Sequence, residues 1–527
     1  MNTHAEQTWR PAYNPWLIAV VVSLAAFMEV LDTSIANVAL PHIAGDLAAS
    51  NSESTWVLTS YLVANAIVLP ISGWLVDVLG RKRFFLICIA LFTAGSVFCA
   101  LAPSLGLLLV ARVLQGGFGG GLQPMAMAIL ADSFPEEDRG IAFSVYGITA
   151  VCAPAIGPTL GGWITDNYSW RWIFWINLPI GLLALALVWQ LVQDPPYLAQ
   201  GTKRGIEVDY IGFALLAFGV GALQIMLDKG QEDDWLASRF ITTLAVVATV
   251  CLTALVIYEW LHKEPLVDVR LFRNRNFGTT NVMMCVFGVI SFASTVMIPQ
   301  YLQTLMGYTA QKAGIVMSIA ALVLVVEMPL VGRLTTFIQA RYLLGLGWIL
   351  MLGCIYLATQ WVDLDGSFLS FTWVAVALYF PLGFLFVPAN TSAYIGVPAN
   401  KSNAVPGLVN FMRTMGCSIG TSLVTTLVDR RSQVHQVHLV SRLAGDNPSF
   451  VAQFSATVRH LAAAGLGTWE AQRRAYAGFY QMVQAQAQAL AYIDTFWWLA
   501  GGAALMLVLA LALERNDPKA GGTVALH

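Results

Sequence analysis

Fourteen apolar stretches punctuate the chain, at 16–38, 55–76, 84–102, 106–128, 141–163, 171–191, 208–227, 239–261, 277–300, 313–331, 342–361, 370–393, 403–428 and 492–513. Each is close to the roughly 20 residues that an α-helix needs to cross a hydrocarbon core about 30 Å thick. The intervening loops are short and polar, which predicts an all-α integral membrane protein of about 14 transmembrane helices. Two polar stretches are longer. Gln193–Val208 reads as a linker, and 429–491 as a soluble segment rich in Ala, Gln and Arg. Its part 468–490 has no Pro and one Gly, so it should be helical.

The pattern repeats. At an offset of 259 residues Gly73 and Leu75 align with Gly332 and Leu334, Gly157 with Gly416, and Gly161 with Gly420. A diverged duplication explains one shift relating two separate places. It divides the chain into a six-helix half (1–191), a linker with an inserted hairpin (192–261), and a second six-helix half (262–428 with 492–513). The long outer segment 429–491 and a tail at 514–527 complete it. Parallel repeats of this kind build one large transporter class, with the site at the midplane between the halves.

Lys and Arg set the orientation. With the N-terminus inside, the inner segments hold Arg10, Arg81, Lys82, Arg83, Arg139, Lys203, Arg204, Lys263, Arg270, Arg273, Arg275, Arg333, Arg341, Lys401, Arg515 and Lys519. The short outer loops hold only Lys229, with Arg171, Arg239 and Lys312 at span edges. An even span count then leaves both termini in the cytoplasm. The polar Met1–Pro15 and the length of the first apolar run speak for a retained helix rather than a cleaved signal peptide.

Composition agrees and narrows the function. The chain is 57% hydrophobic and 11% charged, where soluble proteins carry about a quarter charged residues. A net charge of −2 gives nucleic acid nothing to bind. The seven cysteines all fall in apolar runs without metal-ligand spacing and read as buried thiols. No HExxH motif, Ser/His/Asp set or Walker-type phosphate loop occurs, which points away from an enzyme or an ATP-driven pump and toward no cofactor.

Once loops and span edges are set aside, five charges remain in the membrane: Glu29, Asp32, Arg112, Glu327 and Arg413, with Asp77 at the inner end of the second span. Each is costly in hydrocarbon and is a functional candidate by default. Glu29 and Asp32 are three residues apart, so they share a helix face, and either can pair with Arg112 on span 4. A static pair would be a poor stabiliser. Burial opposes ionisation of a carboxyl while a nearby cation favours it, and that opposition suits a group that loads and releases a proton. Glu327 reads either as an acid snorkelling to the interface or as a second proton or cation site. Arg413 reads as a structural or a substrate-binding cation. The run Gly73–Arg83 should close the turn between spans 2 and 3, with Gly73 and Gly80 allowing close approach and Asp77 and Arg81 forming a charge latch. The glycines around 116–121 and at 147–162 should let helices pack closely.

These segments resemble the major facilitator superfamily, in its fourteen-helix drug:proton antiporter branch. Leu31–Pro41 is similar to the branch's first-helix signature, Gly73–Arg83 to the superfamily's loop 2–3 motif, and Leu108–Gly121, with Arg112, Gln115 and Gly116, to its fourth-helix motif. Gly147–Gly162, with Gly157 and Pro158, resembles the fifth-helix motif of exporters. Leu223–Gly230 and Asn410–Arg413 resemble the EmrB-type multidrug permeases of Gram-negative inner membranes. Neither Glu29 nor Glu327 belongs to those motifs.

The resemblance implies proton-driven efflux of hydrophobic or amphipathic drugs by alternating access. It also implies a periplasmic membrane-fusion adaptor of the EmrA type, for which 429–491 is a candidate contact, and a TolC-type outer-membrane channel. On this reading Asp32 is the first choice as proton carrier, with Glu29, Arg112 and Glu327 beside it. Gln115, Asn390, Asn410, Arg413, Phe287, Tyr301, Phe384, Phe386 and Tyr394 are candidates to line the drug cavity. Gly73, Asp77, Gly80, Arg81, Gly157 and Pro158 are candidates for gating. A proton-coupled importer and a non-transporting membrane sensor or scaffold are the rival readings.

Overall fold

The computed structural model describes residues 11–194, 209–263, 265–398, 401–443 and 447–514. Arg10, Lys203, Arg204, Arg515 and Lys519, most of the linker and nearly all of the tail lie outside the described residues. The described chain has no strand. The first half comprises α1 (Pro15–Asp46), α2 (Asn51–Leu79), α3 (Arg81–Leu101), α4 (Leu105–Gly119), α5 (Leu122–Ser133), α6 (Arg139–Asn167), α7 (Trp172–Trp175) and α8 (Asn177–Leu191). The inserted hairpin is α9 (Tyr210–Lys229) and α10 (Arg239–Leu261). The second half comprises α11 (Arg275–Thr304), α12 (Ala310–Leu334), α13 (Ala340–Trp361), α14 (Phe368–Tyr379), α15 (Leu382–Ser392), α16 (Ala404–Val440) and α18 (Thr468–Ala510), with α17 (Pro448–Ala463) between the last two.

Among the described residues, thirteen helices are long and apolar enough to cross a membrane, with α4–α5, α7–α8 and α14–α15 each counting as one. The fourteenth expected span, 403–428, lies within α16. It has the length, but Asn410, Arg413, Thr414 and Ser418 and a polar continuation dilute it. It still packs inside the bundle, against α2, α11 and α18.

Helix ends follow local chemistry. At α2 the Ser50 side chain accepts the Glu53 amide hydrogen at 3.2 Å, and the Glu53 carboxylate accepts the Ser50 amide hydrogen at 2.8 Å. This reciprocal pair satisfies two otherwise orphaned donors. Gly80 sits at the α2–α3 corner with φ +82°, a conformation that favours glycine.

The glycines related by the 259-residue offset sit at helix–helix joints. Gly157 and Gly161 of α6 press on Ser34 and Ile35 of α1, and Gly416 and Gly420 of α16 press on Cys285 and Val289 of α11. A Cβ at Gly73 on α2 would fall 2.7 Å from the Ala404 Cα on α16, and one at Gly332 on α12 would fall 2.8 Å from the Gly140 carbonyl oxygen on α6. The fourth span of each half is kinked at the same register. Gly120–Gly121 interrupts the first, and Phe380–Pro381 the second, where proline removes a helical donor.

The halves meet along two seams, α2 with α16 and α6 with α12. The second is closed at both ends, since Gly140 abuts Gly332 and the Thr159 hydroxyl lies against Gly314. The α9 helix packs beside α2 and α16. Thr59 of α2 hydrogen-bonds Asp228, and Gln224 donates to the Ser418 hydroxyl of α16 at 2.8 Å.

At about 1.5 Å per residue, α18 is about twice as long as a bilayer core is thick. Its first half therefore projects beyond the membrane. There α17 lies against it through Phe454 on Tyr476 (4.3 Å) and Phe450 on Phe479 (5.4 Å). Asp494 of α18 holds α16 through Arg431 (2.6 Å) and His435 (2.8 Å). The predicted helix over 468–490 is thus the start of α18.

Candidate functional site

Glu29 and Asp32 lie mid-helix on α1 and are both buried, at 3% and 2% exposure. Three residues rotate a helix by about 300°, so the two side chains diverge by about 60° and one turn of rise. That divergence gives them different neighbours.

Asp32 points into the first half. One carboxylate oxygen accepts from Arg112 at 2.6 Å; the other accepts from Gln115 at 3.0 Å and Asn177 at 2.6 Å. Arg112 is itself anchored. Its Nε donates to the Val57 carbonyl at 3.1 Å, its Nη1 also donates to Gln115 Oε1 at 2.9 Å, and its guanidinium lies 4.2 Å from the Tyr61 ring centre. Every partner comes from α2, α4 or α8. The pairing anticipated for either acid with Arg112 falls to Asp32.

Glu29 points toward the other half. Tyr61 donates to its Oε1 at 3.2 Å and Asn65 at 2.9 Å, both from α2. Gln123 of α5 donates to its Oε2 at 2.5 Å. The Gln123 side-chain oxygen Oε1 then accepts from Tyr146 of α6 at 2.8 Å and from Arg413 of α16. The Tyr146 hydroxyl also lies 3.3 Å from Asn410 Oδ1. A continuous polar chain therefore crosses the midplane from α1 to α16.

Aromatic rings border this chain. Phe386 packs on Tyr146 (6.0 Å) and Phe287 (5.7 Å), and the Arg413 guanidinium lies 6.0 Å from its centre. Of the residues expected to line a cavity, Asn410, Arg413, Phe287 and Phe386 gather here. Gln115 belongs to the Asp32 network instead. Asn390 donates to the Phe386 carbonyl of its own helix. Phe384 packs on Phe380, and Tyr394 stacks on Phe143 near the α2–α3 end. Tyr301 lies apart, against Phe371 and Tyr492 in a small apolar cleft within the second half.

Glu327 is a separate site. It is 5% exposed on α12, and its carboxylate faces the backbone amides of Gly383 and Phe384 rather than any side chain. Its carboxylate abuts Gly383 in the first turn of α15, where a Cβ would fall 2.8 Å from Oε1. The free N-terminal amides and positive dipole end of a helix suit a negative group there.

At the α2–α3 end, Arg81 donates to Asp132 and to the Ala128 carbonyl (3.2 Å) in its own half, and to Asn403 Oδ1 (2.5 Å) in the other. Asn403 in turn donates to Asp77 at 2.8 Å. The expected latch of Asp77 with arginine is thus built through Asn403. With Gly73 and Gly80 it ties the end of α2 to the start of α16. Gly157, three residues after Pro154 and next to Pro158 on α6, supports α1 instead, where Ser34 donates to the Pro154 carbonyl at 3.1 Å.

Sequence reasoning missed Tyr61, Asn65, Gln123, Tyr146 and Asn177. All are uncharged, and the only signal was a polar residue inside an apolar run.

Two kinked six-helix halves around a buried polar midplane define a multi-pass membrane transporter. The family model of the Major Facilitator Superfamily matches residues 22–421, and the chain belongs to that family. It is 38% identical over 496 residues to the multidrug export protein EmrB of Haemophilus influenzae, covering 94% of each chain. It is 35% identical over 506 residues to the protein of the same name from Escherichia coli K12, covering 96% of each. The fatty acid resistance protein FarB of Neisseria gonorrhoeae is 36% identical over 454 residues, 85% of this chain and 87% of that one. Among solved structures, the human organic anion transporter MFSD10 superposes with a TM-score of 0.57 at 13% identity, covering 94% of this chain and 100% of that one. The EmrB-type resemblance of the sequence is borne out by these relatives.

Proposed function

We propose that the protein exports hydrophobic and amphipathic compounds across a bacterial inner membrane in exchange for protons, by alternating access of its two halves. The relatives named for multidrug export support the efflux direction, and the length over which they align supports a shared activity. The observation that carries proton exchange is the pair of buried acids on α1. Asp32 keeps its partners within one half, whereas Glu29 is joined to the other half through Gln123. Rocking of the halves would change the surroundings of Glu29 far more than those of Asp32. The geometry therefore favours Glu29 as the carboxyl that gains and loses the proton, with the Asp32–Arg112 pair organising α1 against α4. That division reverses the order the motif suggests.

In this cycle the latch around Arg81 and Asn403 holds the cytoplasmic side shut, and the seam of α6 with α12 parts on the side facing the compound. Inward proton movement supplies the work, about 2.3 kcal/mol per 100 mV for each charge. Phe287, Phe386 and Tyr146 offer an apolar surface for the cargo, and Glu327 is a second acid on the C-terminal side. The projecting α16, α17 and α18 provide a contact for a membrane-fusion adaptor of the EmrA type leading to a TolC-type channel, with both termini cytoplasmic.

Everted membrane vesicles test the reading. Respiring vesicles containing the protein should accumulate a fluorescent amphipathic dye and lose it when a protonophore is added. Accumulation that survives the protonophore, or none above control vesicles across a broad dye panel, would contradict it.

A further inference from the structure

We infer that Gln123 is a positioning residue that transmits the presence of Arg413, on the C-terminal half, to the Glu29 carboxyl on the N-terminal half. The inference rests on the reading of Glu29 as the proton carrier. Gln123 is the second residue of α5, immediately after the Gly120–Gly121 kink, which turns its side chain across the midplane. Its amide works at both ends. The nitrogen donates to Glu29, and the oxygen accepts from Arg413 and Tyr146.

Three consequences follow from that geometry. First, the amide keeps a carboxylate and a guanidinium in series without direct contact. A direct pair buried between the halves would be strong, and breaking it would leave two unpaired charges. A neutral spacer lets the halves separate more easily. Second, hydrogen bonds in a chain polarise one another. A cation on the amide oxygen makes the amide N–H a better donor, so Glu29 feels Arg413 through Gln123. Third, Tyr146 has one hydroxyl proton and two acceptors, Gln123 at 2.8 Å and Asn410 at 3.3 Å. When Arg413 withdraws with α16, that proton can stay on Gln123 and keep the amide oriented. Glu29 then keeps Tyr61, Asn65 and Gln123, all from its own half, and loses only the polarising effect of Arg413. The charged and titratable groups around Glu29 are Tyr61 on α2, Tyr146 on α6 and Arg413 on α16; Asp32 and Arg112 lie beyond Tyr61.

The experiment is a double-mutant cycle read by infrared spectroscopy of the full-length protein in detergent. The protonated-carboxyl band is followed as pH is stepped, and is assigned to Glu29 by its loss in Glu29→Gln. In the wild-type background, Arg413→Gln should move the midpoint of that band by about one pH unit, a tenfold change in proton affinity. In Gln123→Met, which keeps length but not the hydrogen bonds, the same Arg413→Gln change should move it less than twofold in affinity. Gln123→Asn, a shorter amide that cannot reach both sides, should behave like Gln123→Met and guards against misfolding of the latter. An equal shift in all three backgrounds would show that Arg413 acts through space and would overturn the role of Gln123. No shift even in the wild-type background would overturn it as well. A band unchanged by Glu29→Gln would instead remove the reading of Glu29 on which the inference rests.

Discussion

Asp32 and Glu29 illustrate what burial does to two identical functional groups. Asp32 has a full set of donors, headed by Arg112, and neither member of that pair reaches solvent. Removing one partner of a buried pair leaves the other uncompensated, at about 3–5 kcal/mol. Asp32→Asn should therefore lower thermal stability by about that much, and Asp32→Asn with Arg112→Met should recover most of it. Unfolding followed by tryptophan fluorescence checks this; a single variant as stable as wild type would contradict the pair's role. All five intramembrane charges were legible in the sequence because charge is rare in apolar runs. Their partners were not. Gln123 and Asn65 are polar enough to build a network, yet uncharged polar residues are tolerated in membrane helices too often to stand out. The sequence could also not say which acid faces which half, since a 60° divergence on α1 decides it.

At the scale of elements, glycine sets how closely helices approach. A Cβ at Gly416 would fall 2.0 Å from the Cys285 carbonyl oxygen, and one at Gly157 would fall 2.2 Å from the Ser34 hydroxyl oxygen. The Cys285 backbone cannot rotate away at all, whereas the Ser34 hydroxyl can, leaving only its Cβ, at 2.5 Å, to be relieved. Gly416→Ala should accordingly destabilise by about 1–3 kcal/mol, and Gly157→Ala by less. Equal effects in a thermal-melt comparison would contradict that account. The repeated spacing of these glycines was readable from the chain, and so was the duplication. The kinks were not. Gly120–Gly121 and Phe380–Pro381 leave the apolar runs 106–128 and 370–393 unbroken, so each read as one span. The latch shows the same limit, because Asn403, which joins Asp77 to Arg81, carries no charge to mark it. Arg81→Ala should loosen the end of α2. Labelling of Ser72→Cys, buried behind the latch, by a membrane-impermeant maleimide from the α2–α3 side should rise severalfold. Unchanged labelling would place the closure elsewhere.

The whole molecule is two halves held at their seams, with a hairpin beside one seam and a long helical projection at one end. If that projection docks an adaptor, deleting α17 should leave export in proteoliposomes within about twofold of wild type. Resistance of intact cells should fall sharply; equal resistance would remove the docking role. Beneath all of this lies the claim that Glu29 couples cargo to protons across the midplane. Drug-evoked proton exchange in proteoliposomes tests it most directly, with wild type compared with Glu29→Gln, Asp32→Asn and Glu327→Gln at matched reconstitution. Glu29→Gln should still bind the drug but exchange no protons for it. Full exchange in Glu29→Gln would contradict that claim.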